Sequence, residues 1–129
     1  MRASLKEYQA VEAAALKRLN GVAEGDSAIA RDAFSEEAMV YGCSGSQFSC
    51  GPIQNFFNDV DRVGSNPKFE ARVDVIALEE TMAVVRVLEE NWGGNADFTD
   101  YLLMMKLNGE WKCVVQVYNQ SSNTLSAQS

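Results

Sequence analysis

The chain has 129 residues, 47% of them hydrophobic, with a formal net charge of -7 and no histidine. That length predicts one domain that buries roughly two thirds of its unfolded surface. The acidic balance, with Lys17-Arg18 the only adjacent basic pair, argues against nucleic acid and membrane surfaces as partners. Lack of histidine removes the commonest acid-base residue and the commonest metal ligand together.

The opening residues MRASLKEYQA contain no apolar h-region, and no apolar run approaches a membrane span, so a cytoplasmic location is the expectation. Three cysteines, an odd number, are expected to be reduced, although Cys43 and Cys50 have a spacing that would allow a small closed loop. Without histidine they make a poor zinc site, and neither metal nor cofactor is expected.

Ser4 and Glu7 have capping-box spacing and start a helix predicted to run to about Leu19. Leu5, Tyr8, Val11, Ala15 and Leu19 form its apolar stripe, and Asn20-Gly21 is expected to end it. Asp26 is the expected N-cap of a short second helix with Ile29, Ala33 and Phe34 on its buried side. Glu37 to Tyr41 reads as a strand, and Gly42 to Gly51 as a loop. Pro52 fits the first position of a third helix, where Ile53, Phe56, Phe57 and Val60 fall on one face. Strands follow at Phe69 to Leu78 and Met82 to Trp92.

The stretch FTDYLLMMKLNGEWKCVVQVY, from Phe98 to Tyr118, reads as two long strands joined by the Asn108-Gly109 turn. Residues 1–118 are expected to form the domain, and the polar residues 119–129 a frayed tail. Three helices followed by a strand meander predict an α+β fold, with helices on one face of a curved, mostly antiparallel sheet. Such a sheet leaves a pocket beneath the helices.

Glu24-Gly25-Asp26, the stretch Phe34 to Tyr41, Ala83-Val-Val-Arg-Val87 and the final hairpin together resemble the nuclear transport factor 2-like superfamily. Within it the chain is most similar to the putative lumazine-binding family, over about Tyr8 to Tyr118. The resemblance implies a cone-shaped fold that hosts isomerases, dehydratases, cyclases and pure binding domains. The ketosteroid isomerases of this superfamily use a carboxylate base, a tyrosine and a protonated acid. Alignment with them places those three at Gly42, Arg18 and Leu103, none with the required chemistry. Members that depend on histidine are excluded by composition.

Taking Leu103 as inward-facing fixes strand parity, because side chains alternate faces. Tyr101 and Met105 then face the cavity with it, as do Val114, Gln116 and Tyr118 on the last strand. Val85, Val87, Glu89 and Asn91 face it from the strand before, and Phe56 and Phe57 close it from the third helix. Glu89, Tyr101 and Tyr118 are the candidate catalytic groups. Phe56, Phe57, Val85, Val87, Asn91, Leu103, Met105 and Gln116 are the candidate ligand contacts. Asp100 reads as a structural acceptor or interface residue.

Leu88, Trp92, Leu102, Met104, Trp111, Cys113, Val115 and Val117 then form an apolar outer face, which predicts a homodimer. The expected function is binding of a small apolar or aromatic molecule. Two alternatives are an isomerase- or dehydratase-like enzyme that transfers protons through Glu89 and a tyrosine, and an oligomerisation or interaction module. A perturbed carboxylate in a formed pocket would favour the enzyme.

Overall fold

Helix α1 (Leu5–Glu24) begins where Ser4 accepts a hydrogen bond from the Glu7 amide at 3.2 Å in the computed structural model, which describes residues 2–121. It continues through Asn20-Gly21, five residues past the predicted end, and stops at Gly25, whose φ of 69° is left-handed. Gly21 remains helical because a second helix crosses there; a Cβ at this position would lie 2.6 Å from that of Ala30. That helix, α2 (Ser27–Arg31), is capped by Asp26. Asp61 ties it to helix α3 (Gln54–Val63), accepting from both the amide and the hydroxyl of Ser27 at 2.8 Å.

Strand β1 (Phe34–Ser44) is longer than predicted, and the expected loop instead folds back as β2 (Gln47–Pro52). Glycine, serine and cysteine signal a loop in sequence but are tolerated in an edge strand. Pro52 ends β2 rather than opening α3, since an edge strand also accepts proline. Strands β3 (Glu70–Leu78), β4 (Met82–Trp92), β5 (Ala96–Leu107) and β6 (Glu110–Gln120) follow. Asn108 (φ 51°) and Gly109 (φ 81°) make the tight turn between β5 and β6, both left-handed as this hairpin class requires.

The sheet order is β2-β1-β6-β5-β4-β3. Among the described residues only the β1–β6 pair is parallel; the other pairs are antiparallel. The helices cover one face and enclose a core that includes Val11, Ala15 and Val22 of α1, Phe57 and Val60 of α3, and Val85, Val87, Leu102 and Met104 of the sheet. Strand β6 extends past the predicted domain end to Gln120, and residues 122–129 of the expected tail lie outside the described residues. Among the described residues no helix is long and apolar enough to cross a membrane. All three cysteines are free.

Candidate functional site

Strand β5 shows the opposite parity to the one expected. Asp100, Leu102 and Met104 are buried under the helices, whereas Tyr101, Leu103 and Met105 are 41%, 41% and 40% exposed on the far face. The alignment anchor at Leu103 was one residue out, and a one-residue slip turns every side chain of a strand over. A register shift opposite Leu103 and Met104 leaves Val114 as the extra residue of β6. Trp111 and Cys113 therefore join the core on one side of this bulge, while Gln116 and Tyr118 face the helices on the other.

A second shift, between Glu89 and Trp92, acts the same way on β4. Val85, Val87 and Glu89 point inward, but Asn91 adopts φ 63° and Trp92 takes the inward position. Trp92, Leu102, Met104, Trp111 and Cys113 are thus not part of an outer face.

The inverted parity assembles an ionic cluster. Arg18 of α1 is 1% exposed, and Glu89, Asp100 and Gln116 are each 2% exposed. The Arg18 guanidinium donates through Nη1 to Glu89 Oε2 at 2.8 Å and through Nη2 to Asp100 Oδ2 at 2.5 Å. Its Nε donates to Gln116 Oε1 at 2.7 Å. Because arginine only donates, this bond fixes the Gln116 amide with its carbonyl toward Arg18 and its NH2 turned away. The guanidinium also lies 4.9 Å from the centre of the Phe56 ring.

Burial opposes the charge on Arg18, yet Glu89 and Asp100 together hold its pKa above the ordinary arginine value. Asp100 is pushed well above the usual carboxylate range, first by burial and then by the Glu89 charge, against the pull of Arg18. Burial likewise raises the Cys113 thiol to about 12, which leaves it a neutral group.

Beside this cluster opens a cavity of about 300 Å³, at the small end of ligand sites. Asp100 and Gln116 line it together with Phe56, Trp92, Phe98 and Tyr118. These aromatic rings form a continuous wall: Phe56 to Trp92 at 6.1 Å, Trp92 to Phe98 at 5.3 Å and Phe98 to Tyr118 at 5.9 Å. Tyr118 Oη is held by Ser49 Oγ at 2.9 Å. Asn55, Asp59, Arg62 and Cys50 add polar groups to the lining. Among the described residues, buried atoms on this wall and floor lack a hydrogen-bond partner, namely Trp92 Nε1 and Asp100 Oδ1.

Of the residues singled out from sequence, Phe56, Gln116 and Tyr118 line the cavity. Glu89 stands behind it, bonded to Arg18, and Val85 and Val87 pack in the core. Phe57 is also core and borders a separate, larger pocket of about 1070 Å³ with Arg31 and Asp32. Tyr101, Leu103, Met105 and Asn91 are not among the lining residues. Sequence reading missed Arg18, Trp92 and Asp100. Arg18 carried one usable signal, as a charged residue three after Ala15 and one before Leu19 on the buried side of α1.

Residues 6–119 match the protein family described as "Putative lumazine-binding". An aldolase, FrzH of Cladobotryum sp, is 33% identical over 113 residues, covering 88% of this chain and 90% of the relative. The crystal structure of an NTF2-like protein of unknown function from Shewanella baltica OS155 superimposes with a TM-score of 0.88 at 29% identity. It matches over 95% of this chain and 100% of its own. A second such protein, from Methylobacillus flagellatus KT, gives 0.88 at 24% identity over 94% and 97% of the two chains, and shares the fold. The chain belongs to the putative lumazine-binding family of the NTF2-like superfamily.

Proposed function

We propose that this protein is an acid-base enzyme acting on a small carbonyl compound, with Asp100 as the group that transfers the proton. The observation that carries this reading is a buried carboxyl that lines the cavity and has an unpartnered oxygen, Oδ1. Burial and the neighbouring Glu89 charge raise its pKa well above the usual range, the direction that suits a proton donor. The Gln116 NH2 is a second donor beside it, oriented by Arg18 before any ligand arrives. Donors already in place are what a developing negative oxygen needs.

On this reading a carbonyl oxygen enters toward Asp100 and Gln116 while its carbon frame packs on Phe56, Trp92, Phe98 and Tyr118. Transfer of the Asp100 proton to that oxygen acidifies the neighbouring C–H, which passes its proton to water and leaves an enol. An enol is the carbon nucleophile of an aldol reaction, and the aldolase name of a 33% identical relative supports this class. The test is deuterium exchange at the α-carbons of phenylacetone and 2-tetralone in D2O, followed by NMR. Wild type is expected to accelerate exchange over buffer, and Asp100→Asn to lose about 10²- to 10⁴-fold of that rate. No acceleration by wild type, or equal rates in the two proteins, overturns the proposal.

We further propose that a second copy of the chain covers the far face of the sheet. Leu88, Tyr101, Leu103, Met105 and Val117 stand exposed together there on adjacent strands β4, β5 and β6. A contiguous apolar surface of this kind is a hallmark of an interface.

A further inference from the structure

Among the described residues Arg18 is the single cation bonded to both Glu89 and Asp100, and each carboxylate uses one oxygen on it. The other oxygens, Glu89 Oε1 and Asp100 Oδ1, are buried and have no donor. Asp100 pairs across the ladder with Val87, and Glu89 follows two residues later on the same face of β4, so the two carboxyls are diagonal neighbours. Two ionised carboxylates here would leave a net negative charge out of water and two acceptors orphaned. One proton removes both faults: the cluster becomes neutral, and an O–H on one carboxyl donates to the free oxygen of the other.

We infer that Glu89 and Asp100 hold a single proton between Oε1 and Oδ1, and that Glu89 is thereby the positioning residue that keeps Asp100 a proton donor. The consequence for catalysis rests on the acid-base reading of the cavity; the proton count does not. When a carbonyl oxygen takes the proton from Asp100 Oδ1, the new O–H forms on the substrate and Asp100 becomes a carboxylate held by Arg18. Its return requires one proton from the substrate or from water, and the cluster is restored.

The surrounding groups do not supply a competing charge. Cys113 of β6 is kept neutral by burial. Asp59 and Arg62 of α3 pair with each other at 2.9 Å. Cys50 of β2 and Tyr118 of β6 complete the titratable groups of the cavity. After burial, the Glu89 charge favours the protonated form of Asp100. Replacing Glu89 with a neutral amide therefore leaves Asp100 alone with Arg18, an arrangement that favours its ionised form.

The test is a pH titration of the side-chain carboxyl carbons by 13C NMR, on wild type and on Glu89→Gln, with no substrate present. In wild type one of the two carboxyls is expected to be protonated near neutral pH, with Asp100 titrating above the ordinary carboxylate range. In Glu89→Gln the Asp100 titration is expected to move to lower pH. Two ionised carboxyls in wild type near neutral pH overturn the inference, and this arm holds even when the variant fails to fold. An unmoved Asp100 titration in a folded Glu89→Gln also overturns it. A single shared proton together with no α-hydrogen exchange would uphold the inference while refuting the enzymatic proposal.

Discussion

Replacing Arg18 with methionine keeps much of the side-chain volume and removes the three hydrogen bonds that the guanidinium donates to the buried cluster. Glu89 Oε2, Asp100 Oδ2 and Gln116 Oε1, each on a residue about 2% exposed, then lose bonds of 2.8, 2.5 and 2.7 Å. Each orphaned buried acceptor costs about 1–3 kcal/mol. Protonation lets the two carboxyls bond one another and limits the total, so the expected loss is about 3–5 kcal/mol, the usual result of breaking a buried ion pair from one side. At about 4 °C per kcal/mol for a chain of this size, Tm should fall by roughly 12–20 °C.

The loss should also depend on pH. Arg18 lowers the pKa of Asp100 in the folded protein, so without it the already raised value rises further. A carboxyl whose folded pKa exceeds its unfolded one contributes stability that is complete below the unfolded value and is lost as pH rises toward the folded one. Arg18→Met should therefore show its smallest deficit where Asp100 is protonated in both folded proteins, and fall increasingly behind as pH rises through the raised Asp100 pKa of wild type. Urea denaturation across that range measures this. A loss below about 1 kcal/mol, or one that is constant with pH, would refute the role assigned to the cluster.

Gly42 lies across β1–β6 from Tyr118, and a Cβ there would sit 2.1 Å from the tyrosine ring. Gly42→Ala should displace that ring, break its bond to Ser49 and cost about 1–3 kcal/mol, seen as a changed near-UV circular dichroism signal and a lower Tm. Gly21→Ala gains about 1 kcal/mol of helix propensity but meets Ala30 at 2.6 Å, so thermal melting should show net destabilisation; a higher Tm would contradict the close α1–α2 crossing. Light scattering after size exclusion should give a dimer for wild type and a monomer for Leu103→Glu, and a monomeric wild type would contradict the proposed interface.

The fold was legible because its signals are local. The Ser4 cap, the α3 face of Ile53, Phe56, Phe57 and Val60, and the Asn108-Gly109 turn each specify an element through a few neighbouring residues. The site was less legible because it depends on strand parity, which one residue reverses. The bulges at Val114 and Asn91 change parity within a strand, and neither is marked by glycine or proline. Arg18 and Asp100 were hard to read as buried groups since charged side chains usually face water. Their burial follows from partners 71 to 98 residues away in sequence, which no local pattern reveals.

The central claim is that Asp100 is the acid of a carbonyl-binding cavity, and the pH profile of α-hydrogen exchange in phenylacetone tests it most directly. Wild type should hold a plateau while Asp100 is protonated and lose rate as pH rises through its raised pKa. Asp100→Asn should show neither the plateau nor the decline. A wild-type rate that simply climbs with hydroxide, or a profile that Asp100→Asn leaves unchanged, would contradict the account.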